Sequence, residues 1–514
     1  MSAVEAVKQK RAKAYAHLDE AKLGWFHLRA VLVSGAGFFT DQYDNFIISL
    51  ALPMIYQVYY PSDPSMLKAS NFTKQYPDYD AWMKAATPWG NFVGQVGFGY
   101  LGDKLGRKNM YGIELIVIIV STIGSAFSAS SVRGANILQV LAVWRFFLGI
   151  GIGGDYPLSA IITSEFANVK WRGMLMAAVF SMQGVGILVG ALVTLATLAA
   201  LQSYIVADPA YLDLVWRIMI GFGVIPAMSA IYFRLTIPET PRYTVDVIGA
   251  VDQAAADVEK VLALNSTADV SSNWKGEEVA ETRANVKKGG FWAHFGQWKH
   301  GKVLIGTSVA WFCLDVAWYG LTLNQGTVLT LINWNGSNSL APYDNYFQKT
   351  IGQIIIVSMG TLPGFIVVVA LIEKLGRKPI QLLGFGVIAV CLFIIAGAWN
   401  TIKTNTVFFT IVYTIAQFFF QFGPNTTTFV VPGEVFPTRF RSTAHGISAG
   451  LGKLGAIVGT QAISGLWNSS PTAVIYIFAG VMVVGGASTF LIPETKGKTL
   501  EELSGDDEVF HTDA

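Results

Sequence analysis

Gly102-Asp103-Lys104-Leu105-Gly106-Arg107-Lys108 returns 270 residues later as Ile372-Glu373-Lys374-Leu375-Gly376-Arg377-Lys378. In both copies an acid, a lysine, a glycine and an Arg-Lys pair hold the same spacing and lie between apolar stretches. Ser164-Glu165-Phe166, followed by Arg172-Gly173, is matched by Gly433-Glu434-Val435, followed by Arg441-Ser442, at an offset of 269. Ile237-Pro238-Glu239-Thr240 is matched by Ile492-Pro493-Glu494-Thr495 where each copy ends. Three matches in one order indicate an internal duplication. A duplicated unit of membrane spans places a binding site between its halves, which is a transporter architecture.

Composition requires the membrane. The 514 residues are 52% hydrophobic, 13% aromatic and only 14% charged, with a mean hydropathy of +0.46, more apolar surface than a soluble globule of ordinary composition carries. Apolar stretches of about 20 residues fall near 29–52, 85–103, 110–130, 137–164, 174–201 and 214–237. The second set falls near 302–333, 349–372, 379–399, 404–431, 443–466 and 471–492. The predicted fold is therefore all-α, with twelve transmembrane helices in two pseudo-symmetric halves, 25–238 and 302–493. They are flanked by tails 1–24 and 494–514 and separated by a charged loop, 239–301.

The polar start, with Lys8, Lys10, Arg11 and Lys13, does not read as a cleavable signal peptide. Lys/Arg-rich short loops stay cytoplasmic, so the 103–108 and 373–378 loops, both tails and the central loop with Lys287, Lys288, Lys299 and Lys302 are expected on that side. Asn71, Asn335 and Asn468 then head external N-x-S/T sites, and Asn265 an internal one. Cys313 and Cys391 sit in apolar runs and read as packing residues. A net charge of +2 gives no nucleic-acid footprint, and no cofactor or enzymatic activity is expected.

Function should reside in the polar groups of the spans. Asp315 lies inside the apolar run Val303–Trp318, where an ionised side chain costs about 2.5–3.5 kcal/mol on insertion scales. Trp311, Asp315 and Tyr319 are spaced four apart and stack on one helix face; the alternative is a structural acid paired with a neighbouring base. Asp41 and Asp44, three apart, share a face of the first span, where like charges disfavour double ionisation. The fourth span combines Arg145, a glycine-rich run and Asp155-Tyr156-Pro157. Gln183 is mid-span in the fifth and either meets substrate or bonds across helices. Gly423-Pro424-Asn425 breaks the tenth, and Lys453 in the eleventh either snorkels to the interface or pairs with Asp315 or an anion. Acids, amides, phenols and one lysine suit a small hydrogen-bonding solute moved with protons. By contrast Asp103, Arg107, Glu165, Arg172, Glu373, Arg377, Glu434 and Arg441 lie at span ends and read as a cytoplasmic gate.

The span-end motif, Gly99 to Lys108, resembles the signature of the major facilitator superfamily. The strings F-F-T-D-Q-Y-D, G-G-D-Y-P-L-S-A, M-Q-G, W-F-x-x-D-x-A-x-Y-G, G-P-N-T-T-T-F and G-K-x-G-A are similar to those of the high-affinity inorganic phosphate:proton symporters of fungi and plants. That resemblance implies a phosphate site from Tyr156, Gln183, Trp311, Asp315, Tyr319 and Asn425 with Lys453 nearby. It further implies a proton-handling group of Asp41, Asp44, Arg145 and Asp155 at the plasma membrane. In this reading Asp41 is held near Arg145 and exchanges its proton and its salt bridge alternately. Gln42, Asn45 and Trp318 depart from the family, which commonly carries small or apolar residues and Phe there.

The chemistry agrees with that implication. Dihydrogen phosphate offers hydroxyl donors to a carboxylate while phenol, indole and amide groups donate to its oxygens. Sulfate has no donor, and a buried acceptor left unpaired forfeits about 1–3 kcal/mol. Arsenate should pass as an analogue. A proton-coupled sugar porter shares the loop motifs, Pro238 to Arg242 included, but its seventh span carries a glutamine pair where this chain has Asp315. An organic-anion porter and a phosphate sensor signalling through the central loop remain alternatives, and oligomeric state is left open.

Overall fold

Gly106 and Gly376 sit at φ 97° and 93°, a left-handed backbone that glycine adopts without a Cβ penalty. At both places the residue ends one long helix and starts the next helical segment, Arg107–Met110 in the first half and Arg377–Gly397 in the second, so each copy of the duplicated motif is a sharp reversal between consecutive spans. The computed structural model describes residues 24–66, 70–130, 134–235, 239–244, 290–334, 340–402 and 405–504. Lys8, Lys10, Arg11, Lys13, Lys287, Lys288, Asn265 and Asn335 lie outside them.

Among the described residues the chain runs up and down through twelve helical spans. The first half comprises α1 (Trp25–Tyr59), α2 (Pro77–Leu105), α3 (Ile113–Ala126), α4 (Ile137–Phe166), α5 (Arg172–Ala200) and α6 (Leu212–Phe222, continued as Val224–Leu235). The second comprises α7 (Trp298–Thr322), α8 (Pro342–Leu375), α9 (Arg377–Gly397), α10 (Thr406–Val435), α11 (Arg441–Ile457) and α12 (Pro471–Ser488). Nine described helices are long and apolar enough to cross a membrane by length and composition alone; α1, α2 and α11 are not among them. α1 and α2 carry interior acids and amides, and α11 carries Arg441, His445, Lys453 and several hydroxyl residues, all of which lower their hydropathy.

Several helices outrun the apolar stretches that announced them. α1 extends to Tyr59 rather than 52, and α2 and α8 begin at Pro77 and Pro342 rather than 85 and 349. Proline at the first helical turn starts such extensions well, since its missing N–H has no intrahelical partner there anyway. The glycines of α4 serve packing: a Cβ on Gly149 would lie 2.9 Å from the Gly90 Cα, and one on Gly153 2.9 Å from the Asn91 Cα. α2 and α4 therefore touch backbone to backbone. In α10 the helix widens over Gln421–Asn425, where Gly423 leaves helical geometry at φ −106°, ψ −119° beside Pro424. Cys313 and Cys391 are buried and unbridged, consistent with packing roles.

Candidate functional site

The four-residue spacing on α7 does stack Trp311, Asp315 and Tyr319 on one face, and that face meets α11. The Lys453 ammonium lies 2.8 Å from the Asp315 carboxylate and donates to the Tyr319 hydroxyl at 3.0 Å. It also lies over the Tyr319 and Tyr156 rings, 4.4 and 5.1 Å from their centroids. Lys453 is 1% exposed, so it does not snorkel. Tyr156 reaches this group from α4, its ring 6.4 Å from that of Trp311. A buried ion pair is weak evidence for stability, because desolvation offsets the attraction. Small residues make room: a Cβ on Gly452 would lie 2.5 Å from Cδ1 of the Trp311 indole.

Two amides of α1 complete the cluster. Gln42 donates to the Tyr156 hydroxyl at 2.6 Å, and Asn45 donates to the Tyr319 hydroxyl at 3.0 Å, across the boundary between the halves. The sequence reading noted both as family departures and did not place them in the site; their signal was two amides inside an apolar span. Trp318 wedges between Phe46 and Phe420, at 6.1 and 5.4 Å between ring centroids. Gln183 is buried on α5 with its amide nitrogen unpartnered, and Asn425 donates to Gln421 at 2.5 Å. Among the described residues no hydrogen bond joins either to the cluster.

A second charged group lies within the first half. Asp155 pairs with Arg234 of α6 at 2.7 Å and accepts from Ser159 at 2.6 Å; Arg234 also pairs with Glu114 of α3 at 2.8 Å. Gly37 on α1 leaves the space this guanidinium fills. Asp41 is fully buried beside the group, with Asp155, Arg234 and Asp44 as its charged neighbours; among the described residues no N–H or hydroxyl donor reaches its oxygens, and the Asp155 carboxyl lies in hydrogen-bonding contact with it. Asp44 accepts from Thr122 at 2.8 Å.

Arg145 does something other than predicted. It donates to the backbone carbonyls of Asp44 at 2.7 Å and Asn45 at 3.3 Å, fastening α1 to α4. The expected Asp41–Arg145 salt bridge is absent among the described residues. Ten residues separate Arg145 from Asp155 on α4, about 15 Å of helix axis, too far for one guanidinium to serve the Asp41–Asp155 level. Arg234 and Glu114 were missed; each is a lone charge in an apolar run, a signal as strong as Asp315.

All eight span-end residues converge at one end of the bundle. Glu165 receives Arg107 of its own half at 3.5 Å and Arg441 of the other at 3.1 Å. Glu434 receives Arg377 at 2.8 Å and Arg172 at 3.1 Å. Thr240 and Thr495 each donate to these glutamates at 2.5 Å. Asp103 pairs with Arg107 at 3.2 Å and accepts from the Ser442 and Thr443 amides at 3.3 and 2.7 Å, at the start of α11. Glu373 likewise pairs with Arg377 at 2.7 Å and accepts from the Met174 amide at 3.1 Å, at the start of α5. Glu239 and Glu494 accept from the backbone N–H groups of Lys108 and Lys378 at 3.1 and 3.0 Å. Burial first, with the nearby Glu165 charge, pushes the Glu239 carboxyl above its ordinary value against the pull of the Thr240 and Lys108 amides and Arg107.

The opposite end holds a cavity instead of an ion-pair cluster. A cavity of about 310 Å³ lies there between the halves, with Ser49, Leu50, Leu323 and Lys84 in its wall. Ser49 is one helical turn beyond Asn45, and Leu323 one turn beyond Tyr319, so the central cluster lies just beneath.

A duplicated bundle fastened at one end by reciprocal ion pairs around a buried polar centre is the architecture of major facilitator transporters. The fold matches the proton:xylose symporter XylE bound to 6-bromo-6-deoxy-D-glucose, with a TM-score of 0.70 at 21% identity over 93% of this chain and 98% of that one. An inward open form of XylE from E. coli matches with a TM-score of 0.63 over 93% and 99%. The chain belongs to the sugar (and other) transporter family, whose model matches residues 30–506. Among similar proteins, the repressible high-affinity phosphate permease of Neurospora crassa is 42% identical over 97% of this chain and 90% of its own length. The inorganic phosphate transporter PHO84 of Saccharomyces cerevisiae is 41% identical over 99% and 89%.

Proposed function

We propose that the protein takes up inorganic phosphate together with protons across the plasma membrane, by alternating access around a mid-membrane site between its halves. The observation that carries this is the Asp315–Lys453 pair, ringed by Tyr156, Trp311 and Tyr319 and sealed from solvent, in a chain about 40% identical to proteins named phosphate transporters. Lys453 supplies an ammonium to a phosphate oxygen, and Asp315 accepts from a phosphate hydroxyl. Tyr156, Tyr319, Trp311 and, after local rearrangement, Gln183 and Asn425 donate to the remaining oxygens. With no anion bound, the two charges neutralise each other. Arsenate is accepted, and sulfate is disfavoured because Asp315 would lose its donor.

Proton coupling rests on Asp41. Its carboxyl is buried against the Asp155 carboxylate, an arrangement that a shared proton would relieve, and beside Arg234 and Asp155 its ionisation redistributes the pairing of that guanidinium. Moving one elementary charge across 100 mV is worth about 2.3 kcal/mol, so importing a monoanion against an inside-negative potential needs more than one proton to be electrically driven. The reciprocal ion-pair end faces the cytoplasm, with both tails and the 239–301 loop, and its release opens the inward path.

The test is uptake of labelled phosphate into proteoliposomes with and without an inward proton gradient, with sulfate, glucose and arsenate as competitors. Gradient-stimulated uptake blocked by arsenate but not by sulfate or glucose is expected. Competition by glucose, or uptake indifferent to the gradient, would overturn the reading.

A further inference from the structure

The cavity at the end opposite the ion pairs carries an excess of positive charge that the central site does not use. Among the described residues Lys74, Lys84 and Lys349 line it, against the single carboxylate of Asp80. That carboxylate is already engaged, by Lys84 at 2.6 Å and by the Tyr56 hydroxyl at 3.0 Å. Lys84 also donates to Asn324 Oδ1 at 2.9 Å, from α2 of one half to the end of α7 in the other. The Tyr346 hydroxyl makes a second link between the halves, donating to the Pro53 carbonyl at 2.9 Å. Lys349, half-buried on α8, is different: among the described residues its ammonium has no carboxylate or hydrogen-bond partner.

We propose that this cavity is a second phosphate-binding station, an antechamber in which Lys349 and Lys84 hold the anion one helical turn above the central site. The proposal rests on the phosphate reading above. A low-dielectric pocket lined by one sign of charge concentrates the opposite ion and raises its rate of arrival. The volume of about 310 Å³ admits phosphate with part of its hydration shell. The remaining wall mixes apolar residues such as Leu50, Met54 and Leu331 with hydroxyl and amide groups of Thr327, Thr350 and Asn345, whose buried carbonyl oxygen has no partner among the described residues and suits a phosphate hydroxyl. An ammonium placed half-buried without a counter-ion is costly, and a transient anion is the group that would offset it.

The antechamber acts on capture, so it should appear in the apparent affinity and not in the turnover of the filled carrier. In proteoliposomes, Lys349→Gln is expected to raise KM for phosphate by about 3- to 10-fold, with the maximal rate within about twofold and a weaker dependence on ionic strength. Lys349→Arg is expected to restore KM. An unchanged KM in Lys349→Gln, or an arginine variant as poor as the glutamine one, overturns the antechamber.

Binding is also read without transport. In an Asp315→Asn, Lys453→Met background, which removes the central charges as a pair, inorganic phosphate should slow the labelling of Thr327→Cys by a charged thiol reagent relative to chloride, the two native cysteines being buried. Labelling indifferent to phosphate overturns the proposal even where Lys349→Gln fails to fold. Should the unaltered protein take up no phosphate, the function itself falls. Should it take up phosphate with KM blind to Lys349, only the antechamber does.

Discussion

The ion-pair end and the buried centre were made by the same duplication and have fared differently. At the end, the glutamate–arginine pairs have their counterparts: Glu165 with Arg107 and Arg441 is repeated as Glu434 with Arg377 and Arg172. In the centre the equivalent positions hold different chemistry. At the same 269-residue offset Asp155-Tyr156 becomes Pro424-Asn425, and Gln183-Gly184 becomes Gly452-Lys453. Parts that fasten one half to the other in either order must fit both, so symmetry persists there. A solute without that symmetry is gripped by groups that each half supplies differently, and the asymmetric residues therefore mark the site.

The largest effect should come from the centre. Asp315→Asn leaves the Lys453 ammonium buried without its carboxylate, a loss of about 3–5 kcal/mol. Phosphate uptake should fall at least about 100-fold, and thermal stability should fall with it. Combining it with Lys453→Met should recover much of the stability and none of the uptake, since an apolar pair of similar volume restores packing but cannot bind an anion. A double variant that regains transport would mean the pair is structural.

Asp41→Asn comes next and separates binding from coupling. Exchange of phosphate across the membrane at equal concentrations should continue, whereas accumulation driven by a pH gradient should be lost. Accumulation that survives would remove Asp41 from proton transfer and leave the Arg234–Asp155–Glu114 group to be tested in its place.

The fastened end should respond symmetrically. Glu165→Gln and Glu434→Gln each weaken two arginine contacts, and each should lower uptake about tenfold, the two agreeing within about threefold. Unequal losses, read as initial rates at matched protein density, would show that one half governs closure and that the geometric symmetry is not an energetic one.

How much of this was legible follows from what sequence spacing encodes. The duplication gave the two halves, and the i, i+4 rule gave the face of Trp311, Asp315 and Tyr319, because both are relations along the chain. That the eight span-end charges form one cluster was legible for the same reason, though not which arginine meets which glutamate. Lys453 was left between two roles, since residue type does not tell its depth; in the fold it is buried on Asp315. Pairing of charges between spans was not legible: Arg145 and Arg234 are both lone arginines in apolar runs, and only their heights along the bundle decide which meets the Asp41–Asp155 level. Gln42 and Asn45 were passed over because an amide in a span has no required partner type, unlike an ionised group.

The smallest prediction sharpens the boundary of the asymmetric site. Trp318 packs edge-on against Phe46 and lies next to Tyr319, whose hydroxyl is held by Lys453 and Asn45, so it touches the site only through its neighbours. Trp318→Phe keeps an aromatic face against Phe46 and Phe420 but leaves space where the larger ring ended. Repacking of that kind typically costs about 1 kcal/mol or less in a tolerant core, which corresponds to a change of at most about fivefold in an equilibrium. The expected outcome is a KM for phosphate shifted by about threefold at an unchanged maximal rate, since the groups proposed to touch the anion all remain. A fall in maximal rate instead would place Trp318 in the movement between the halves, and the asymmetry of the centre would then extend from the grip on the solute to the motion that carries it.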